Sequence, residues 1–199
     1  MYIFFALLLS AKFVNAKTTA HILSQTYDRL SFQDATGNYI DSHFLSTHSA
    51  YPVSYASTGD QPGQNLEFLL HDDNNYWVSQ HPNSDDFHST ISFTFSEPTI
   101  FEAFLLSAAF KSGDKNQNIR EYHGFPTKLK VYIAMTDDDD FTLNTIFSGT
   151  PSYPLEKAQF VFKNPVKCKR MKIEFIDITA NTHFSEGAKT ACIRFLNFI

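Results

Sequence analysis

Asp72, Asp73, Asn74 and Asn75 stand side by side, a run of hard oxygen donors of the kind from which Ca²⁺ sites are built. The same run is also turn chemistry, because Asp and Asn side chains bond their own backbone and tolerate a left-handed conformation. Asp137–Asp140 poses the same choice: adjacent carboxylates repel unless a cation sits among them or a hairpin tip leaves them hydrated. His71, His81, His88 and His123, with nearby aspartates, could be assembled into a proton relay on paper. The motifs that would give such a relay a purpose are missing. There is no Gly-x-Ser-x-Gly elbow, no His-Glu-x-x-His helix and no glycine-rich phosphate loop, and no Cys-x-x-Cys or Cys/His spacing suggests zinc. The expectation is a protein that is not an enzyme.

A scaffold must hold these residues, and composition says which kind. The chain has 199 residues, one domain's worth with a short extension. Hydrophobic residues make up 43% and charged residues 19%, enough for a packed core. The 21 Phe and 9 Tyr, against 7 Gly, favour strands, since flat and stiff side chains pack well on a pleated surface. Runs of β-formers recur at Leu66–Leu70, Thr90–Phe95, Thr99–Ser107, Thr127–Ala134, Phe141–Phe147, Ala158–Phe162, Met171–Ile178 and Ala191–Phe198. Ile91-Ser-Phe93-Thr-Phe95 and Leu129-Lys-Val131-Tyr-Ile133 alternate with the period of a half-buried strand. Turn residues punctuate them at Glu97-Pro98, Gly124-Phe-Pro126, Asp137–Asp140, Ser148-Gly149 and Asn164-Pro165. Long helical periodicity is absent, so the expected fold is all-β, a jelly roll or related two-sheet sandwich.

Met1 to Ala16 form an apolar run that closes on Val14-Asn15-Ala16, the small-residue spacing of a signal peptide. The unbroken apolar stretch from Tyr2 to Leu9 is far short of the ~20 residues that span a bilayer. The expected organisation is therefore a signal peptide over 1–16, an N-terminal extension over 17–50 with a short strand near Tyr27–Phe32, and a β-sandwich domain over 51–199. The expected location is secreted or extracellular. The formal net charge of −5 becomes one unit more negative when Lys12 leaves with the signal, which argues against nucleic acid as a partner. The cations of Lys163, Lys167, Lys169, Arg170 and Lys172 read as outward positions flanking a strand. Cys168 and Cys192 could form one disulfide in an oxidising compartment, worth about 3 kcal/mol in the loop-entropy model, provided the fold brings them within bridging distance.

From Val53 to Ile199 the order of motifs resembles the discoidin or coagulation-factor type C family, within the galactose-binding-like jelly rolls. Ser54-Tyr-Ala-Ser57 precedes Leu69-Leu-His-Asp72-Asp73-Asn74-Asn75-Tyr76-Trp77-Val-Ser79, similar to the family's leucine, acidic loop and Trp-x-Ser. Ile91-Ser-Phe-Thr-Phe95-Ser-Glu-Pro98-Thr-Ile100 is similar to its strand, proline and strand. Arg120, then Phe125-Pro126 through Ile133, then Asp137–Phe141 look like its arginine, central strand and acidic turn. Phe160-Val-Phe162, Cys168 through Phe175, and Ala191-Cys192-Ile193-Arg194-Phe195 complete the series. Two positions depart from the family. Cys192 stands where a glutamate commonly helps hold a structural calcium, and the acidic loop lacks the usual Asp-Gly pair.

The resemblance implies a binding module whose ligand contacts lie in loops at one end of the sandwich, here Tyr76, His81, Phe87, His88, Arg120, Tyr122 and His123. Exposed rings stack on the apolar face of a sugar while Arg, His and Asn bond its hydroxyls, so the implied partners are glycans or glycoproteins. It implies a core role for Trp77; Asp72, Asp73 and Asn75 are the candidate ligands of a structural calcium, against which the missing glutamate counts and for which an Asx-rich turn is the alternative. Some relatives bind anionic phospholipid or protein instead. Lys111, Lys115 and Arg120 could form a cationic rim for an anionic membrane surface, against which the negative net charge counts.

Overall fold

Every second residue of Thr90–Phe95 is apolar, and in the computed structural model Ile91, Phe93 and Phe95 are buried while Ser92 and Thr94 are half-exposed. The structure describes residues 29–33, 50–71, 75–109, 124–149, 157–179 and 189–199. The strands are β1 Arg29–Gln33, β2 Ser54–Ser57, β3 Trp77–Val78, β4 Thr90–Ala108, β5 Pro126–Ala134, β6 Thr142–Ser148, β7 Lys157–Ile178 and β8 Cys192–Phe198. They pair antiparallel in the order β3-β8-β4-β7-β5-β6, with β1 added on β7 and β2 on β4.

Two pairs of expected strands are single strands. Thr90–Phe95 and Thr99–Ser107 join in β4, and Ala158–Phe162 and Met171–Ile178 join in β7, so the turns expected at Glu97-Pro98 and Asn164-Pro165 are absent. The β4–β7 pairing slips between Thr94 and Thr99, and again between Phe101 and Ala103. Pro98, which has no N–H to donate, falls in the first slip, where the ladder is already broken. Leu66–Leu70, expected as a strand, is a short 3₁₀ helix: Leu66 and Leu69 both reach the core, a spacing of three that a strand's period of two would not satisfy.

Because of these bends β4 and β7 pass through both layers of a jelly-roll sandwich. In one layer the first half of β4 lies between β2 and the second half of β7, followed by β5 and β6. In the other, the end of β4 lies between β8 and the start of β7, with β3 and β1 outside them. Rings close the layers on each other: Phe93 meets Phe198 at 4.9 Å, Phe104 meets Phe147 at 5.8 Å and Trp77 meets Phe175 at 6.1 Å between centroids. β1 overlaps the short strand expected near Tyr27–Phe32.

The bridge open to Cys168 and Cys192 is not formed. Cys168 packs into the main core, whereas Cys192 belongs to a separate small cluster with Val78 and Ala109. A disulfide needs both side chains on one side within reach. Burial pushes the Cys168 thiol from 9.0 up to about 12. A folded value raised in this way contributes stability that is complete below pH 9.0 and lost as the pH climbs toward 12. Iodoacetamide at neutral pH is therefore expected to leave both cysteines of the folded chain unmodified, while urea without reductant exposes two reactive thiols. Mass spectrometry reads the difference, and a single mass that resists alkylation in urea would mean a bridge.

Candidate functional site

The chain leaving β3 is turned back by two buried serines. Ser79 and Ser89 each donate from Oγ to the carbonyl of His81, at 3.3 and 3.5 Å, and Ser79 Oγ accepts the Ala191 N–H at 3.0 Å. Ser84 and Phe87 exchange backbone hydrogen bonds of 2.9 and 3.3 Å, giving the loop its own rung. Asn83 fastens it to the sandwich. Its N–H donates to Lys189 O at 2.8 Å, its carboxamide donates to Phe175 O, and its Oδ1 accepts Ser89 N–H at 3.0 Å. With the backbone of His81 pinned, its ring stands exposed, edge-on to Phe87 at 5.8 Å and 89°. Phe87 is half-buried, and a ring pair fixed in this way loses little freedom on stacking against a flat apolar partner.

Beside this loop lies a hollow of about 270 Å³ whose wall includes Ser84, Asp85, His88, Lys128, Asp177 and Lys189. Lys189 Nζ is 3.5 Å from Asp177 Oδ1, with both groups more than half exposed, so the pair stays open to exchange partners with a ligand. The wall thus carries both acceptors and donors, a set suited to hydroxyl groups, which both give and take hydrogen bonds.

His88, on the wall of the hollow, also reaches back to the sheet. Its Nδ1 lies 3.1 Å from Glu174 Oε1, Tyr132 OH donates to Glu174 Oε2 at 2.6 Å, and Lys130 Nζ is 3.9 Å from the same oxygen. Burial works against ionisation of Glu174, but the bonds from Tyr132 and His88 and the charge of Lys130 outweigh it and hold the carboxyl below its ordinary value. Burial and the neighbouring carboxylate push the Tyr132 phenol up to about 12. A depressed carboxyl contributes stability above its unfolded value of 4.5 and loses it as the pH falls toward the folded one. Glu174→Gln should cost about 1 kcal/mol at neutral pH and make the acid limb of the stability profile shallower. Urea midpoints taken from pH 7 to pH 3 test this; parallel acid limbs would exclude it.

Of the expected ligand residues, His81 and Phe87 touch and His88 stands beside them on the hollow. Tyr76 is turned elsewhere, half-buried against Val78, Ala109 and Cys192, where burial raises its phenol above the ordinary value. Arg120, Tyr122 and His123 lie outside the described residues, as do Asp72 and Asp73, while Asn75 is exposed. Among the described residues no group of three or more His, Cys, Asp and Glu is placed to hold a metal. Asp137–Asp140 is an exposed turn between β5 and β6. Lys169 pairs with Asp137 there, Arg170 donates to the carbonyls of Asp137 and Asp139 at 2.7 and 3.2 Å, and Asp139 Oδ2 accepts Thr136 N–H at 2.9 Å. Trp77 is fully buried, as expected of a core residue, and its indole N–H donates to Asp60 Oδ1 at 2.8 Å. Asp60 also accepts from the Ser57 hydroxyl and from Leu66 N–H, tying the preceding loop to the core. Asn83, Lys128, Asp177 and Lys189 were not singled out by sequence. The alternation Lys128-x-Lys130-x-Tyr132 marks those positions as outward-facing, but only the register places them at a hollow.

No protein-family profile matches the sequence, and comparison with curated proteins finds no match. Solved structures do match. The chain is similar to the CBM32-1 and CBM32-2 domains of Clostridium perfringens ZmpB in complex with GalNAc, at 21% identity and a TM-score of 0.60 over 74% of this chain and 34% of that one. Without the sugar, the same two domains match at 20% identity and a TM-score of 0.62 over 86% of this chain and 42% of that one. A third is the family 32 carbohydrate-binding module of C. perfringens NanJ in complex with galactose, at 16% identity and a TM-score of 0.51, covering 73% and 91%. The chain thus spans less than half the length of the two-domain ZmpB chains. At these identities the likeness establishes the fold, the galactose-binding-like jelly roll that such modules share with discoidin domains.

Proposed function

We propose that this protein is a non-catalytic carbohydrate-binding module, exported through a signal peptide at residues 1–16 and working outside the cell on glycans or glycoproteins. The observation that carries the reading is the ring pair of exposed His81 and half-buried Phe87, fixed beside a polar hollow at one end of the sandwich. The rings present an apolar face for a pyranose, and Ser84, Asp85, His88, Asp177 and Lys189 present donors and acceptors to its hydroxyls. Similar modules were solved with GalNAc and galactose, which makes galactose-type sugars the first ligands to try. Arg120, Tyr122 and His123 are proposed as further contacts, and Asp72, Asp73 and Asn75 as a calcium loop. A glycan array probed with the full chain from a secretory host, with and without EDTA, tests the reading. Retention of defined saccharides, weakened roughly tenfold or more by Phe87→Ala at unchanged thermal stability, is the expected result. A folded chain that retains no saccharide overturns it, and insensitivity to EDTA removes the calcium loop.

A further inference from the structure

The two layers of the sandwich treat their outer faces differently. On the layer of β2, β4, β7, β5 and β6 that face is wet: Ser92, Thr94, Lys130, Tyr132 and Lys172 are all half-exposed. On the other layer the end of β4 turns Phe104 and Leu106 inward, so Ala103, Leu105 and Ser107 lie outward, level with Gln159 and Val161 of β7. These five are buried, Ser107 and Gln159 completely, and Ala103, Leu105 and Val161 form with Ile199 an apolar cluster separate from the main core. Among the described residues no strand or helix lies over them. Water on this face would leave the Gln159 carboxamide exposed, so another part of the chain covers it.

The ends of the connecting segments say which part. β1 lies outside β7, with Gln33 opposite Lys157, and Ala50 donates its N–H to Phe198 O at 3.2 Å on the side of β8 away from β4. Residues 34–49 must therefore cross β7, β4 and β8, about 19 Å at the spacing of strands. The inner route is filled by Phe93, Phe104, Phe160 and Phe198, which leaves the outer face. An extended chain gaining about 3.3 Å per residue covers the distance easily. Residues 110–123 and 180–188 have no such crossing to make, because Ala109, Gly124 and Thr190 all lie at the Cys192 end of the layer, and 150–156 joins β6 to β7 without passing β4. Composition agrees: Tyr39-Ile40 and Phe44-Leu45 are the apolar pairs of an otherwise polar run. We infer that the outer face of the β8–β4–β7 layer is the docking surface of residues 34–49, with Tyr39, Ile40, Phe44 and Leu45 closing over Leu105 and Val161 as a third layer. The N-terminal extension is then part of the folded module and not a tether to it, and a cut within residues 34–49 opens the module instead of releasing it.

Hydrogen exchange of the full chain, read on peptic fragments by mass spectrometry, tests the docking. Amides of Tyr39–Leu45 should exchange roughly a hundredfold or more slower than in the urea-unfolded chain. Phe44→Asp would bury a charge against Leu105 and Val161, so it should lower the urea midpoint, abolish that protection and raise the fluorescence of a dye that binds apolar surface. Tyr51→Asp, at a position 73% exposed, should do none of these. Exchange of Tyr39–Leu45 at the unfolded rate overturns the inference, and this measurement on the unaltered chain decides even where Phe44→Asp does not fold. Protection that persists in both Phe44→Asp and Ile40→Asp overturns it too, because the segment would then be ordered without the face. Unprotected exchange together with a dimer in sedimentation gives the face to a second copy and overturns it as well. Each of these results leaves the saccharide site standing.

Discussion

Gly124→Ala is expected to unfold the protein or come close to it. A methyl group built at Gly124 would stand 2.2 Å from the carbonyl oxygen of Thr190, 2.9 Å from that of Thr179 and 2.9 Å from Ile178 Cγ2. Two of these obstacles are backbone and cannot rotate away. The backbone is fixed there by Gly124 O, which accepts Cys192 N–H at 2.9 Å, and by Phe125, which exchanges bonds of 2.8 and 3.0 Å with Thr179. The entrance of β5, the exit of β7 and the entrance of β8 are thus held together through a residue without a side chain. Overpacking a core against movable side chains typically costs about 1–3 kcal/mol, and an obstruction by backbone belongs at or above the top of that range. A urea midpoint close to that of the parent would show that the three segments do not approach as closely as described. Because β5 carries Lys128 to the hollow, the proposed saccharide binding should fail together with the fold.

Phe104→Ala is expected to cost about 3–5 kcal/mol, a large part of the stability of a domain this size. Phe104 is fully buried and lies parallel to Phe160 at 4.7 Å and 3°, with Phe147 edge-on at 5.8 Å and Phe162 tilted at 5.9 Å. Phe147 and Phe160 also meet each other at 5.4 Å, so the truncated side chain would leave a cavity walled by rings that brace one another and cannot collapse into it. Ile146→Ala supplies the contrast, since Ile146, next to Phe147 on β6, is 46% exposed and its loss should stay within about 0.5 kcal/mol. Equal midpoints for the two variants would mean that the ring cluster does not hold the layers together.

Strand content was legible because it is local. The alternation in Ile91–Phe95 and Leu129–Ile133 follows directly from one buried and one wet face, and the structure carries β4 and β5 there. What failed was punctuation. Pro98 and Pro165 look like ends of strands, but a proline at a slip in pairing removes a hydrogen bond that the ladder would not have made, and a sequence does not display where the partner strand slips. Leu66–Leu70 failed because a short apolar run does not distinguish a period of two from a period of three. At the proposed site, the rings of His81 and Phe87 are recognisable by type, and a place in loops is what the resemblance implies for them. Lys189, Asp177 and Lys128 come from three separate segments, so only the closed fold makes them neighbours. Asn83 gave no signal of its own. A carboxamide in a Pro-Asn-Ser-Asp turn is ordinary, and its role as a clamp depends on Phe175 and Lys189, far away in sequence.

The passage of β4 and β7 through both layers also governs when the protein can be made. His88 and Glu174, which meet at the start of that pairing, are 86 residues apart, so nothing local can stand in for the missing partner while synthesis proceeds. A ribosome that has finished β4 but not β7 holds a chain whose Phe93, Phe95, Phe101 and Phe104 have no second layer to enter. Such a half-made chain offers a long apolar strand with unpaired edges to any neighbour in the same condition. The yield of folded protein will therefore be set by how well a host keeps nascent chains apart until the last third of the sequence has emerged.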